Sequence, residues 1–263
     1  MSLRGKNIVI TGASQGIGLK ISNALKKEGA KIVSCSRHGD YKCDISKEAE
    51  VKEFINYAKT KLGEIDVLIN NAGIYGPIGK FDALDLELWK QALEINLYGP
   101  IHTMRSIIPI FKEQGYGKII NLSGGGATQP MPNFSSYAAT KTALVRLTET
   151  SAGELKEFSI DVNSVAPGAF NTRLIQEVVD AGEQLAGKAI YQKSLKQQAG
   201  ECGDEKKMAD LFVWLCSDKS DGLTGKLISA QWDDWKNCES NIDELNSSDI
   251  YTLRRVVEDA RKL

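Results

Sequence analysis

The chain has 263 residues, 33 basic and 34 acidic side chains, a net charge of −1, and 42% hydrophobic and 25% charged residues. These values suit a globular α/β unit that buries most of its apolar surface without disulfide or metal staples. Near-zero charge argues against a nucleic-acid binder, no run approaches the roughly 20 apolar residues of a membrane span, and the start lacks a signal-peptide h-region.

In chain order, strands are expected at 7–11, 31–35, 65–69, 118–122, 160–165 and 226–230. Helical patterns lie between and after them near 16–28, 47–62, 83–114, 138–157 and 204–217. Most strand runs are continuously apolar, as in strands covered on both faces. Alternating β and α elements imply a doubly wound parallel sheet with its ligand crevice at the carboxyl ends of the strands. One domain over 1–230 is expected, with an embedded lid at about 173–200. An extension at 231–263 packs on the same domain; it has 5 basic and 8 acidic residues (5 − 8 = −3) and a helical pattern over about 249–261.

The first strand runs into Thr11-Gly12-Ala13-Ser14-Gln15-Gly16-Ile17-Gly18. Gly12 permits a tight turn, Gly16 a close approach to a pyrophosphate, and Gly18 close packing of the next helix. The N-terminus of that helix offers free N–H groups to phosphates. Further along come Asn70-Asn71-Ala72-Gly73, Ile95-Asn96-Leu97-Tyr98-Gly99, Tyr137-Ala138-Ala139-Thr140-Lys141 and Pro167-Gly168-Ala169-Phe170-Asn171-Thr172.

With these motifs in this order, the chain resembles the compact branch of the short-chain dehydrogenase/reductase family over about residues 5–230. The resemblance implies a Rossmann-like fold and an NAD(P)-dependent oxidoreductase that interconverts a secondary alcohol and a ketone. It implies cofactor contacts from Gly12, Ser14, Gln15, Gly16, Ile17, Gly18, Asn71, Ala72, Gly73, Pro167, Gly168 and Thr172. Asp44, beside Ile45, would meet the adenine amino group. Tyr137 would be the acid/base, Lys141 would hold the ribose and lower the Tyr pKa, and Asn96 would anchor a water of the proton relay. Tyr137 and Lys141 share one helix face, and a phenol with a pKa of about 10 needs such help near neutrality.

The usual serine 13 residues before the tyrosine is absent, because Gly124 holds that position and Ser123 precedes it. Ser123 is the candidate catalytic serine if the Gly124–Gly126 run bulges and re-aims it. Otherwise the glycine amides, Ser135 or Ser136 orient the substrate.

At the end of the second strand stand Ser36 and Arg37. A neutral Ser beside an Arg that can fork a 2′-phosphate favours NADP over NAD. Gln15, neutral where many NADP users carry a cation, and a short loop from Arg37 to Cys43 argue the other way.

Lys188, Lys193 and Lys196 make either a solvated lid face or an electropositive rim. Trp232-Asp233-Asp234-Trp235 make either a packing contact or a substrate wall, and the wall reading points to a sugar or sugar derivative. His38 and His102 read as structural, and no metal is expected. Five cysteines without a CxxC pair fit reduced, cytoplasmic thiols.

A catalytically silent dinucleotide-binding sensor and a sugar-nucleotide epimerase or dehydratase are the alternatives. Expected partners are a small-molecule substrate and further copies of the chain, with neither nucleic acid nor membrane. The resemblance implies a homodimer or homotetramer through the helices near 83–114 and 138–157, where Ala143, Leu144, Leu147 and Thr148 recur at helical spacing, and through a second contact made by the last strand with the tail.

Overall fold

In the computed structural model, which describes residues 1–255, seven parallel strands form one sheet in the order β3-β2-β1-β4-β5-β6-β7. They are β1 (Asn7–Thr11), β2 (Lys31–Ser36), β3 (Tyr41–Lys42), β4 (Val67–Asn70), β5 (Gly117–Leu122), β6 (Ile160–Ala166) and β7 (Leu227–Ser229). The order reverses beside β1, so the carboxyl ends of β1 and β4 open onto a topological switch point. Strand β3 was absent from the sequence reading. It is two residues long, and the short loop after Ser36 carries it instead of a helix.

The helices are α1 (Gly16–Lys27), α2 (Glu48–Leu62), α3 (Leu86–Leu93), α4 (Gly99–Gln114), α5 (Ser135–Leu155), α6 (Arg173–Ala186), α7 (Lys188–Gln198), α8 (Glu205–Leu215) and α9 (Ile242–Ser247). They cover both faces of the sheet. One core packs β1, β4, β5 and β7 against α1 and α8. The other packs the opposite sheet face against α2, α4 and α5.

The expected helix over 83–114 is two helices. Asp85 caps α3 by accepting from the Glu87 and Leu88 N–H groups. A π-helical turn, Glu94–Tyr98, then separates α3 from α4. Such one-turn bulges re-aim a side chain, here Asn96. Gly99 starts α4 where a Cβ would lie 2.8 Å from Ile45 Cγ1.

Helix α5 begins at Ser135, three residues before the expected start, so Tyr137 lies in its first turn. The segment expected to form the lid folds as two helices: α6, interrupted at Gly182 (φ 79°), and α7. The helix expected over about 249–261 does not form in 249–255, and the remainder lies outside the described residues.

At the edge opposite the cleft, Lys118 of β5 is buried with its ammonium 2.7 Å from Asp221 and 3.5 Å from Asp161, and it donates to Ser220 Oγ. After β7, Trp235 stacks near Trp214 of α8 at 5.9 Å, so this half of the Trp-Asp-Asp-Trp segment belongs to the core. Residues 248–254 then cross the outer edge of β7. Leu227 N–H donates to Tyr251 O, and the buried Lys226 ammonium donates to Ser248 O and Ile250 O. The crossing ends on α5, where Glu149 accepts from Leu253 N–H and pairs with Arg254.

Candidate active site

The carboxyl ends of the strands open into a cleft of about 990 Å³. Its floor is the glycine turn after β1. Gly12 (φ 70°) has no room for a Cβ, which would lie 2.8 Å from Ala72 Cα. A Cβ on Gly18 would lie 2.5 Å from Gly12 O. Asn71 locks the turn by donating from Nδ2 to Thr11 O and Gly12 O, each at 2.9 Å. Gln15 precedes α1 without a side-chain cap, so no side chain consumes the first-turn N–H groups. This glycine cradle at a helix N-terminus fits a dinucleotide's phosphates.

All the residues expected to bind cofactor line this cleft: Gly12, Ser14, Gln15, Gly16, Ile17, Gly18, Ser36, Arg37, Asp44, Ile45, Asn71, Ala72, Gly73, Tyr137, Lys141, Pro167, Gly168 and Thr172. Arg37 is exposed at the cleft rim, while Ser36 Oγ accepts from His38 N–H. Asp44 spends one oxygen on Ser46, accepting from its N–H and its hydroxyl. His102 contacts Ile45 O through Nδ1 at 3.1 Å and stays outside the cleft.

Tyr137 and Lys141 lie one turn apart on α5. The Lys141 ammonium is 5.8 Å from the Tyr137 ring centre and donates to Leu122 O at 2.7 Å. Burial pulls the Lys141 pKa down to about 8. Burial also raises the Tyr137 phenol well above its ordinary value, and Tyr75 adds to the shift. Tyr75 meets Tyr137 edge-on at 4.8 Å, within an apolar wall of Phe134, Val178 and Ala186.

Asn96 does not reach the cleft. Its Oδ1 accepts from Ile74 N–H, and its Nδ2 donates to Ile74 O and Thr140 Oγ1. These bonds use both Nδ2 donors and hold the loop after β4 against α5.

Ser123 lines the cleft with Tyr137 but makes no hydrogen bond to it. Its Oγ is buried without a hydrogen-bond partner. Gly124 is extended (φ −174°), and its missing Cβ points at the Tyr137 hydroxyl. The glycine run forms a short 3-10 turn, Gly125–Ala127, beyond that point. Ser135 Oγ accepts from Trp89 Nε1, and Ser136 Oγ donates to Tyr75 O, so both serve packing. Ser123, Gly124 and Gly125 all line the cleft beside Tyr137.

The lid and tail divide. Lys193, Trp232 and Asp233 line the cleft, whereas Lys196 pairs with Glu201 at 4.0 Å. The sequence reading missed Tyr75, Ser194, Gln197, Tyr251 and Thr252, which also line it. Among the described residues no His/Cys/Asp/Glu group could hold a metal ion, and no helix is long and apolar enough to cross a membrane.

A family model described as short chain dehydrogenase matches residues 6–183. The chain is 29% identical to a D-beta-hydroxybutyrate dehydrogenase of Cupriavidus necator, over 86% of this chain and 96% of that protein. Its structure is similar to a gluconate 5-dehydrogenase from Burkholderia cenocepacia in complex with NADP and tartrate (28% identity, TM-score 0.77, 87% and 94% covered). It is also similar to a 3-ketoacyl-(acyl-carrier-protein) reductase from Brucella melitensis complexed with NADH (30% identity, TM-score 0.75, 87% and 97% covered).

Proposed function

The chain belongs to the short-chain dehydrogenase/reductase family, and from that premise we propose how its residues divide the work of an NAD(P)-dependent oxidoreductase that interconverts a secondary alcohol and a ketone. The observation that carries the assignment is the Tyr137–Lys141 pair, one helical turn apart and facing the glycine-cradled cleft. A nicotinamide dinucleotide in the cleft supplies the two-electron chemistry at the substrate carbon. Tyr137 gives a proton to the ketone oxygen during reduction and takes it back during oxidation. Lys141 holds positive charge beneath the phenol and offers its remaining donors to the ribose. Asn96 acts as a positioning residue for the loop beside them.

The Gly12–Gly18 turn and the α1 N-terminus hold the pyrophosphate. Arg37 at the rim supports NADP as the preferred form, by pairing with a 2′-phosphate. A silent sensor has no use for a phenol that opens on the cleft beside a buried lysine. The protein is assigned to the cytoplasm and to a homodimer or homotetramer built on the outer faces of α4 and α5. Leu144 and Thr148 face the chain's own core and Leu147 packs partly against it, while Ala143 keeps exposed surface for such a contact. The test is absorbance at 340 nm with NADP or NAD across polyols, sugar derivatives, hydroxy acids and hydroxysteroids. Nicotinamide-linked turnover of at least one secondary alcohol is expected. Nucleotide binding without any turnover would favour the sensor.

A further inference from the structure

Helix α7 of the lid carries two polar side chains that neither the fold nor the chemistry above employs. Ser194 and Gln197 are 2% and 5% exposed, three residues apart and therefore on one helix face. Both line the cleft. Among the described residues neither side chain has a hydrogen-bond partner. Neither is sealed away, because the orphaned buried side-chain atoms among those residues are Asn7 Oδ1 and Ser123 Oγ. Their remaining surface opens on the cleft. Polar groups that open on a binding cleft without a protein partner are available to a ligand.

The position of α7 is well defined at both ends. Ile190 and Tyr191 join the apolar wall around Tyr75, Phe134 and Tyr137. At the other end Cys202 Sγ donates to Gln197 O and accepts from Asn171 N–H, both at 3.3 Å. Gln197 is thus tied to the loop leaving β6, and Ser194 lies one turn nearer the Tyr137 wall.

We propose that Ser194 and Gln197 read the hydroxyl groups of a neutral polyhydroxylated substrate, a polyol or a sugar. The proposal rests on the alcohol–ketone reading of the same cleft. A carbinol offers a donor and an acceptor together, and so do a serine hydroxyl and a glutamine amide. An alkyl or steroid face pressed against α7 would leave both groups unsatisfied. A simple carboxylate calls for donors alone and would meet the negative charge of Asp233, which also lines the cleft. Trp232, 89% exposed and lining the same cleft, offers a flat face for the C–H side of a sugar ring.

The experiment uses the full chain with saturating NADP or NAD and three probe classes: xylitol and sorbitol, 3-hydroxybutyrate, and cyclohexanol. The polyols are expected to give the highest kcat/KM. Gln197→Leu and Ser194→Ala should each raise the polyol KM about tenfold, the scale of one lost substrate hydrogen bond. Dinucleotide affinity by fluorescence titration should stay unchanged, which also shows that the variants fold. Rescue of the polyol KM by Gln197→Asn or Ser194→Thr would support the assignment further. A wild-type preference for cyclohexanol or 3-hydroxybutyrate, or unchanged polyol KM in both variants, would overturn the proposal while leaving the oxidoreductase intact. Turnover of none of the classes in the 340 nm survey would overturn the oxidoreductase reading and this proposal together.

Discussion

The hydroxyl of Tyr137 occupies the space into which a side chain at residue 124 would project: a Cβ built on Gly124 would lie 3.1 Å from Tyr137 Cζ and collide with its oxygen. The backbone at Gly124 is extended and would accept any residue. The glycine is therefore required by the neighbouring tyrosine rather than by its own dihedral angles. Tyr137 and residue 124 share one space, and the tyrosine has it.

The consequence for mutagenesis runs against the family pattern. Gly124→Ser restores the usual serine at its usual spacing, yet it should lower kcat by about tenfold or more, because displacing the phenol spoils the alignment that acid–base transfer needs. Gly124→Ala should do the same. Ser123→Ala should change kcat by less than about threefold, since residue 124, not Ser123, is the position that projects at the Tyr137 hydroxyl. Steady-state kinetics of the three variants check this, and a Gly124→Ser enzyme faster than wild type would refute it.

Protonation of Tyr137 sets the pH behaviour. Burial raises its pKa, so the neutral phenol dominates around pH 7. The neutral phenol is the proton donor of ketone reduction, whereas alcohol oxidation needs the scarce phenolate. Oxidation should accelerate as pH rises from 7 to 10, and reduction should be flat at neutral pH and fall at alkaline pH. Tyr137→Phe should keep dinucleotide affinity and lose about 10²–10⁴-fold in turnover in both directions. Opposite pH profiles, or near-normal turnover in that variant, would remove Tyr137 from the role.

Arg37 is exposed at the rim beside Ser36. Replacing it by Ala should weaken NADP by roughly 10- to 100-fold, the scale of a lost charge-assisted contact, and weaken NAD far less. Titration of both nucleotides decides. Equal losses would make Arg37 a stacking partner of the adenine rather than a phosphate ligand.

Far from the cleft, Lys118 balances Asp161 and Asp221 in a nearly closed pocket. Burial lifts the Asp161 pKa to about 6, with the Lys118 charge acting against that rise. Lys118→Met strands a buried carboxylate and should cost about 3 kcal/mol or more. With its folded pKa above the unfolded one, Asp161 is penalised while ionised, and the penalty fades as pH falls below 6 and the carboxyl takes a proton. The deficit should therefore be larger at pH 8 than at pH 5 in denaturant melts. A deficit that grows toward pH 5 would contradict the account.

The sheet and its ligand-bearing edge were legible because buried parallel strands read as apolar runs and the glycine turn sits where phosphates bind. The register of functional side chains was less so. Which of Ser123 and Gly124 meets Tyr137 depends on strand alternation just where the strand ends, and on the space the tyrosine itself takes. Asn96 was found by motif, but its amide is consumed by Ile74 and Thr140, which are distant in sequence. Periodicity joined α3 to α4 because a π-helical turn keeps the apolar spacing nearly helical. Ser194 and Gln197 carry no local signal. Their meaning lies in being buried without partners, a property of the folded lid alone.

A parallel sheet has two ends at which another chain can add, and both are closed here by different means. At one end β3 is two residues long and offers almost no ladder. At the other, Tyr251 O takes the Leu227 N–H, and Lys226 pins the same segment through Ser248 and Ile250. Because Tyr251 and Thr252 also line the cleft, the residues that shield the sheet from stray strand addition are the ones a bound ligand would press in place. One short segment thus forms part of the cleft wall and at the same time covers an open rim of the sheet.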